Sequence, residues 1–143
     1  MNPSAPCFLL VDDHALFRTG LGMMLAEHWP EAVMRHAGDW AQALSSARAL
    51  RPAPDLVLLD IQLPDGHGLD NLAQLQALLP DCPVLLMSAQ VDAERLAQAQ
   101  QRGAAGLMAK VASAREIVTA VRAALSGIPT FAMASPLPRP EPI

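Results

Sequence analysis

The chain predicts an α/β fold, an open, doubly wound parallel sheet of five strands with helices on both faces. Three observations lead there. Short apolar runs alternate five times with stretches of helical spacing, each pair taking roughly 20 to 28 residues, as parallel crossovers require. The 143 residues give room for one domain and one continuous core. Polar side chains stand at or just past the C-terminal ends of four runs: Asp12 and Asp13 after 7–11, Asp60 after 56–59, Ser88 after 84–87, and Lys110 after 106–109. In such sheets the crevice beyond the carboxyl ends of the strands is where ligands bind.

The elements follow in order. After the first strand, Phe17, Leu21, Met24 and Leu25 recur at helical spacing over residues 14–28. Residues 32–37 form a weaker second strand. Asp39 followed by Gln42 marks a helix start of capping-box type, and an Ala-rich helix runs to about Leu50, stopped by Arg51-Pro52-Ala53-Pro54. The third strand ends in Asp60 and the Pro64-Asp65-Gly66 turn follows. Leu69, Leu72, Leu75 and Leu79 mark a third helix, closed by Pro80. The fourth strand reaches Ser88, and Asp92 to Arg102 forms a helix ended by Gly103. A short fifth strand ends at Lys110. Ser113 and Glu116 form a capping box that opens the last helix, with Ile117, Val121 and Leu125 on one face. From about Gly127 the composition changes, since five of the thirteen prolines fall in the last fifteen residues. A folded domain over 1–126 and a semi-rigid, extended Pro-rich tail or linker over 127–143 are expected.

Bulk properties exclude several classes. Hydrophobic residues make up 52% of the chain, too many for disorder, yet no apolar run approaches a membrane span. The first residues lack the basic start of a secretion signal, so a cytoplasmic protein is expected. A formal charge of −4 without a basic stripe argues against nucleic-acid binding by this chain. Cys7 and Cys82 lie in separate apolar segments without metal-type spacing and read as two buried thiols. His14, His28, His36 and His67 show no zinc-ligand spacing; His28 and His36 read as helix-end and strand or surface residues.

Singly, each strand-end residue has an ordinary explanation as a turn former, a helix cap or a surface charge. Together they suit a divalent cation and a phosphoryl group. Magnesium takes oxygen ligands, commonly one or two carboxylates, waters and phosphate oxygens. With strand order 2-1-3-4-5, the first and third strands are neighbours, so Asp13 and Asp60 can share one ion while Asp12 holds its waters. Without a cation, three close carboxylates repel and at least one should have a raised pKa. Asp60 is then placed as a carboxylate nucleophile towards phosphorus, Lys110 as a fixed positive charge and Ser88 as a hydroxyl donor.

At these residues the chain resembles the receiver domain of two-component response regulators, over about residues 7 to 126. Val11-Asp12-Asp13-His14-Ala15-Leu16-Phe17-Arg18-Thr19-Gly20-Leu21 and Asp55-Leu56-Val57-Leu58-Leu59-Asp60-Ile61-Gln62-Leu63-Pro64-Asp65-Gly66 are similar to receivers of the LuxR/NarL type. The resemblance implies a flavodoxin-like (CheY-like) sheet and a signalling switch that catalyses only its own phosphorylation and dephosphorylation. Asp60 would accept phosphate from a sensor histidine kinase. Asp12, Asp13, Asp60 and the backbone carbonyl of Gln62 would hold Mg2+ (or Mn2+). Ser88 would be the switch hydroxyl and Lys110 its ion-pair partner, while the small Ala89 leaves the phosphoryl group open to water. Output would pass through the face made by helix 4, strand 5 and helix 5.

The chain departs from the family's pattern twice. Leu107 stands where an aromatic switch residue is usual, and Val111 follows Lys110 where proline is common, which lowers the expectation of a cis bond there. A hydrolase of the haloacid-dehalogenase type would want a second Asp two residues after Asp60, where Gln62 stands, and a degenerate receiver would lack part of the five-residue set. Regulators of this type usually carry a helix-turn-helix domain after a linker, so DNA binding is expected only through a C-terminal domain outside this chain. Asp92, Glu94, Arg95 and Arg102 on helix 4, with Arg115 and Arg122 on helix 5, read either as solvated faces with i,i+3 and i,i+4 pairs or as a homodimer interface.

Overall fold

A computed structural model describes residues 5–131. Five parallel strands, β1 (Cys7–Val11), β2 (Val33–Ala37), β3 (Leu56–Asp60), β4 (Val84–Ser88) and β5 (Gly106–Ala109), lie in the order β2-β1-β3-β4-β5. Five helices alternate with them: α1 (Ala15–His28), α2 (Trp40–Ala49), α3 (Gly68–Leu78), α4 (Ala93–Gln101) and α5 (Ala114–Leu125). The alternation of side chains along each strand divides the core in two. Phe8, Leu10, Leu58 and Met87 pack with Leu21 and Leu25 of α1 and Ile117 and Val121 of α5. Leu9, Val11, Leu59 and Leu86 pack with Ala43 of α2, Leu72 of α3 and Ala99 of α4 on the other face. Buried on both faces, β3 and β4 carry no alternation of polarity, as central parallel strands should not. The weak second strand lies at an edge, with Arg35 and His36 exposed.

Local chemistry starts α2, α4 and α5 where expected, with one difference in detail. Asp92 accepts from Arg95 N at 2.8 Å, and Ser113 with Glu116 forms the complete capping box. Asp39 accepts from Gln42 N at 2.8 Å, but the Gln42 side chain reaches past it to Gly38 N at 2.9 Å. The glycine after α4, Gly103, has φ +79, the left-handed stop that L side chains resist. The turn after β3 is a two-residue hairpin, Gln62–Leu63 against Gly66–His67, which the sequence pattern did not reveal.

Other expectations need correcting. Cys7 and Cys82 are half-buried rather than buried; both are free thiols, and burial pushes Cys82 up to about 12. The cis peptide among the described residues is Arg51–Pro52, with none at Lys110. The i,i+3 and i,i+4 ion pairs of the solvated-face alternative for α4 and α5 are absent among the described residues. Instead Arg102 donates to Leu69 O and lies 3.9 Å from Asp70, and Arg122 stacks 5.3 Å above Trp29. Of the expected tail, residues 132–143 lie outside the described residues. Ile128 and Pro129 are exposed, but Thr130 and Phe131 pack where no packed element was expected: Thr130 N donates to Ala105 O at 3.0 Å, Thr130 bridges to Gly106 in parallel, and Phe131 is half-buried against the core. No helix of the described chain is long and apolar enough to cross a membrane.

Candidate functional site

The carboxyl ends of β1, β3, β4 and β5 bring the five strand-end residues together. Asp12 N donates to Ala37 O at 3.0 Å, so the residue after β1 is still held by the sheet, and its carboxylate is wholly buried. Asp60 and Ser88 are the last residues of their strands and are also buried. Lys110 N donates to Ser88 O at 2.9 Å, which extends the β4–β5 pairing by one residue. A cavity of about 320 Å³ opens between these ends, lined by Asp13, His14, Asp60, Gln62, Ala89 and Lys110 among others. A larger depression of about 890 Å³ lies between the opposite ends of the strands, beside Pro52, Leu79, Pro80 and Leu125. It has no cation among its lining residues and no set of converging carboxylates, so size does not identify the functional site.

Lys110, the sole lysine of the sequence, organises the centre. Its Nζ lies 2.7 Å from Asp12 Oδ2, 3.3 Å from Asp60 Oδ2 and 3.0 Å from His14 Nδ1, and 4.6 Å from the centroid of the Phe17 ring. The same Nδ1 lies 3.1 Å from Asp12 Oδ1, so the imidazole stands between the ammonium and a carboxylate. Burial works against the lysine's charge, but Asp12 and Asp60 outweigh it and hold its pKa above the ordinary value. The Asp60 pKa is raised, as expected for one member of the set, but the causes rank differently. Burial comes first, the Gln62 N–H at 3.0 Å opposes it, and repulsion from Asp12 adds to the rise.

Ser88 is not among the residues that line the cavity. Its hydroxyl donates to Gln90 O at 2.5 Å and its oxygen accepts from Gln90 N at 3.2 Å. Ala89 lines the cavity beside it. Leu107 is buried in the core on the side of α2, α3 and α4.

The residues fit a divalent cation. Asp12, Asp13, His14 and Asp60 each offer one ligand atom, and these atoms lie within 4.8 Å of one another. Asp12 Oδ2 is buried without a hydrogen bond of proper geometry, facing only the Lys110 ammonium. Three carboxylates against one ammonium leave an excess of negative charge for a cation to offset, and carboxylate oxygens suit a hard ion. Sequence reasoning missed His14 and Phe17 as members of the site. Both fall in the stretch after Asp13, and the signal was their place there rather than any metal-type spacing.

The stretch of chain that holds these residues is similar to known proteins. A family model described as the response regulator receiver domain matches residues 8–122. The transcriptional activator protein ExaE of Pseudomonas putida is 35% identical over 119 residues, covering 83% of this chain and 55% of its own length. A LuxR family DNA-binding response regulator from Silicibacter pomeroyi superposes with a TM-score of 0.76 at 30% identity, over 94% of this chain and 98% of that one. A Burkholderia pseudomallei response regulator, solved with a phosphorylated aspartic acid, calcium ion and citrate, superposes at 0.74 with 27% identity, over 85% and 69%. The chain spans about half the length of the curated relatives it matches.

Proposed function

The chain belongs to the response regulator receiver family, and on that premise we propose that it is a phosphoacceptor switch in which Asp60 takes a phosphoryl group from a phosphohistidine of a sensor kinase. The carrying observation is the placement of Asp60: a buried carboxylate bordering the cavity, between two further aspartates and the sole lysine. An Asp60 oxygen attacks phosphorus, the P–N bond to the kinase imidazole breaks, and the imidazole leaves with the bonding pair, giving an aspartyl phosphate. The step needs positioning and charge stabilisation more than acid–base chemistry.

Asp12, Asp13, Asp60 and the Gln62 carbonyl would hold Mg2+ (or Mn2+), which supplies positive charge against the carboxylates and the phosphoryl oxygens. Lys110 keeps its hold on Asp12 and turns from Asp60 to a phosphoryl oxygen. Ser88 releases Gln90 O and swings its hydroxyl to another. Ala89, with one methyl group, leaves water room to hydrolyse the product.

These shifts pull on the ends of β4 and β5, and the face made by α4, β5 and α5 changes its packing as a two-state population shift. Because Leu107 has no ring to swing inward, the readout is a repacking of that leucine and its neighbours. Relatives described as transcriptional activators, about twice as long, support output through a C-terminal DNA-binding domain joined by 127–143, with a LuxR-type regulator as the parent. The kinase partner places the protein in the cytoplasm, and phosphorylation promotes a homodimer.

The test is intact-mass analysis after incubation with magnesium and acetyl phosphate or phosphoramidate, with Asp60→Asn alongside. One magnesium-dependent phosphoryl adduct, lost in the variant, is expected. Magnesium binding without an adduct would instead make the chain an interaction module.

A further inference from the structure

We infer, on the phosphoacceptor reading of Asp60, that residues 128–131 form a strap that acts as an autoinhibitory latch. Closed, it covers Leu107 and the free edge of β5; phosphorylation opens it and bares both. The strap begins where α5 is stopped. Gly127 takes φ +79 and its N–H donates to Ala124 O at 3.1 Å, while Ile128 N donates to Ala123 O at 2.8 Å. Pro129 has no N–H to offer. Thr130 then ties the strap to the start of β5, its N–H on Ala105 O at 3.0 Å and its backbone bridging to Gly106 in parallel.

That pairing decides which way each side chain turns, because partners in register share a face and successive residues alternate. Thr130 Cγ2 would stand 2.3 Å from a Cβ on Gly106, so the threonine lies on the α1 and α5 side of the sheet, with Leu85. Phe131, one residue on, turns to the opposite side, level with Leu107. There it packs half-buried against the cluster that contains Leu107. β5 ends the sheet on that side, and exposed edges are commonly covered by a loop. Leu107 has Leu86 of β4 as its partner on one flank and is only 1% exposed. Phe131 stands on the other flank.

The two flanks differ in how easily they yield. Lys110 N donates to Ser88 O at 2.9 Å, so a shift of either residue at the crevice is carried along β4 and β5. Leu86 is fully buried on a strand paired on both sides, and moving it would open a void in a close-packed core. Phe131 is half-buried on a segment with few ties, the kind of unit that opens first. A displaced Leu107 therefore pushes out Phe131 and breaks the Thr130 bond instead of disturbing β4. Coupling is reciprocal, so a change that opens the latch strengthens binding of the phosphoryl group by the same factor.

The experiment follows amide hydrogen exchange on the full chain, with magnesium alone and with magnesium plus beryllium trifluoride, a phosphoryl mimic whose binding is titrated by its 19F signal. The Thr130 amide should be protected with magnesium alone and exchange at least about tenfold faster with the mimic bound. The Ile128 amide, held by the helix stop, should not change. Two variants open the latch in different ways: Phe131→Ala removes the ring, and Thr130→Pro removes the N–H donor. Each should lower the mimic concentration at half-saturation by at least about fivefold, the low end of ordinary coupling between sites. A Thr130 amide that exchanges freely with magnesium alone, or that keeps its protection with the mimic bound, would overturn the inference. Midpoints unchanged in both variants would do the same. A wild type that takes neither the mimic nor a phosphoryl group from acetyl phosphate would instead sink the phosphoacceptor reading. Leu107→Ala then decides the latch: Thr130 exchange should quicken if Phe131 rests on that leucine, and an unchanged rate would overturn the coupling.

Discussion

Asp60 is a residue whose charge the fold holds at a disadvantage. Burial, with Asp12 adding to it, raises its pKa above the unfolded value despite the Gln62 N–H and Lys110. A raised carboxyl contributes stability that is fully present below the unfolded pKa and is lost as pH rises through the folded pKa. At neutral pH without a divalent ion, Asp60→Asn should therefore raise Tm by a few degrees, and the gain should vanish as the pH falls towards 4, roughly the ordinary carboxyl range. A variant that melts with or below the wild type at neutral pH would show that the Lys110 pair outweighs burial. Lys110 poses the converse case. Lys110→Met leaves buried Asp12 and Asp60 facing each other, at a cost of about 3 kcal/mol, the low end for breaking a buried pair because the cavity admits water. Chemical denaturation should show most of that loss recovered when magnesium is added; a loss indifferent to magnesium would mean that the lysine's packing against Phe17 matters more than its charge.

Among the elements, the helix starts show what a sequence can and cannot disclose. Ser113 and Glu116 lie three residues apart, so the capping box of α5 is visible as a local pattern. The start of α2 has a second support that is not local: Asp65, in the turn of the small hairpin, accepts from Trp40 N at 2.7 Å and Ala41 N at 3.0 Å. Nothing in the residues around Trp40 announces a partner that arrives only once β3 has paired with β1. These bonds, the Trp40 N–H foremost, hold the Asp65 carboxyl below its ordinary pKa. The sign is opposite to that of Asp60, with stability present above the unfolded pKa and lost as pH falls through the folded one. Asp65→Ala should lower Tm at neutral pH, and the difference from wild type should shrink in acid; a pH-independent difference would implicate the turn instead. The strap formed where Thr130 bridges to Gly106 of β5 was hidden for the same reason. A Cβ on Gly106 would stand 2.3 Å from Thr130 Cγ2 and 2.8 Å from Thr130 O, a requirement set by residues more than twenty positions later. Gly106→Ala should cost about 1–3 kcal/mol as overpacking, and part of that cost should disappear in a Thr130→Ser background if the strap is its source.

At the scale of the whole molecule, the sheet and the site were legible for one physical reason. A parallel sheet repeats one rule, an apolar run followed by a crossover, and every run ends at the same edge. Reading where Asp12, Asp13, Asp60, Ser88 and Lys110 fall along the runs is thus reading their positions in space. That rule fixes where a residue stands but not which way its side chain turns, so the Ser88 hydroxyl on Gln90 and the His14 ring over the carboxylates were not legible. The same convergence concentrates negative charge at one end of a chain whose formal charge is −4, and it predicts that a divalent cation will raise global stability. An ion that binds only the folded site stabilises by RT ln(1 + [L]/Kd), about 1.4 kcal/mol for each tenfold rise in concentration above Kd. Wild-type Tm should climb with the logarithm of magnesium concentration, and Asp13→Asn should flatten the slope while changing the metal-free Tm little, because Asp13 lies at the exposed side of the set. Sodium chloride at matched ionic strength provides the control. Screening acts on all surface charges alike, so an equal rise with sodium, or a slope unchanged in the variant, would locate the effect in the general charge of the protein rather than in the crevice.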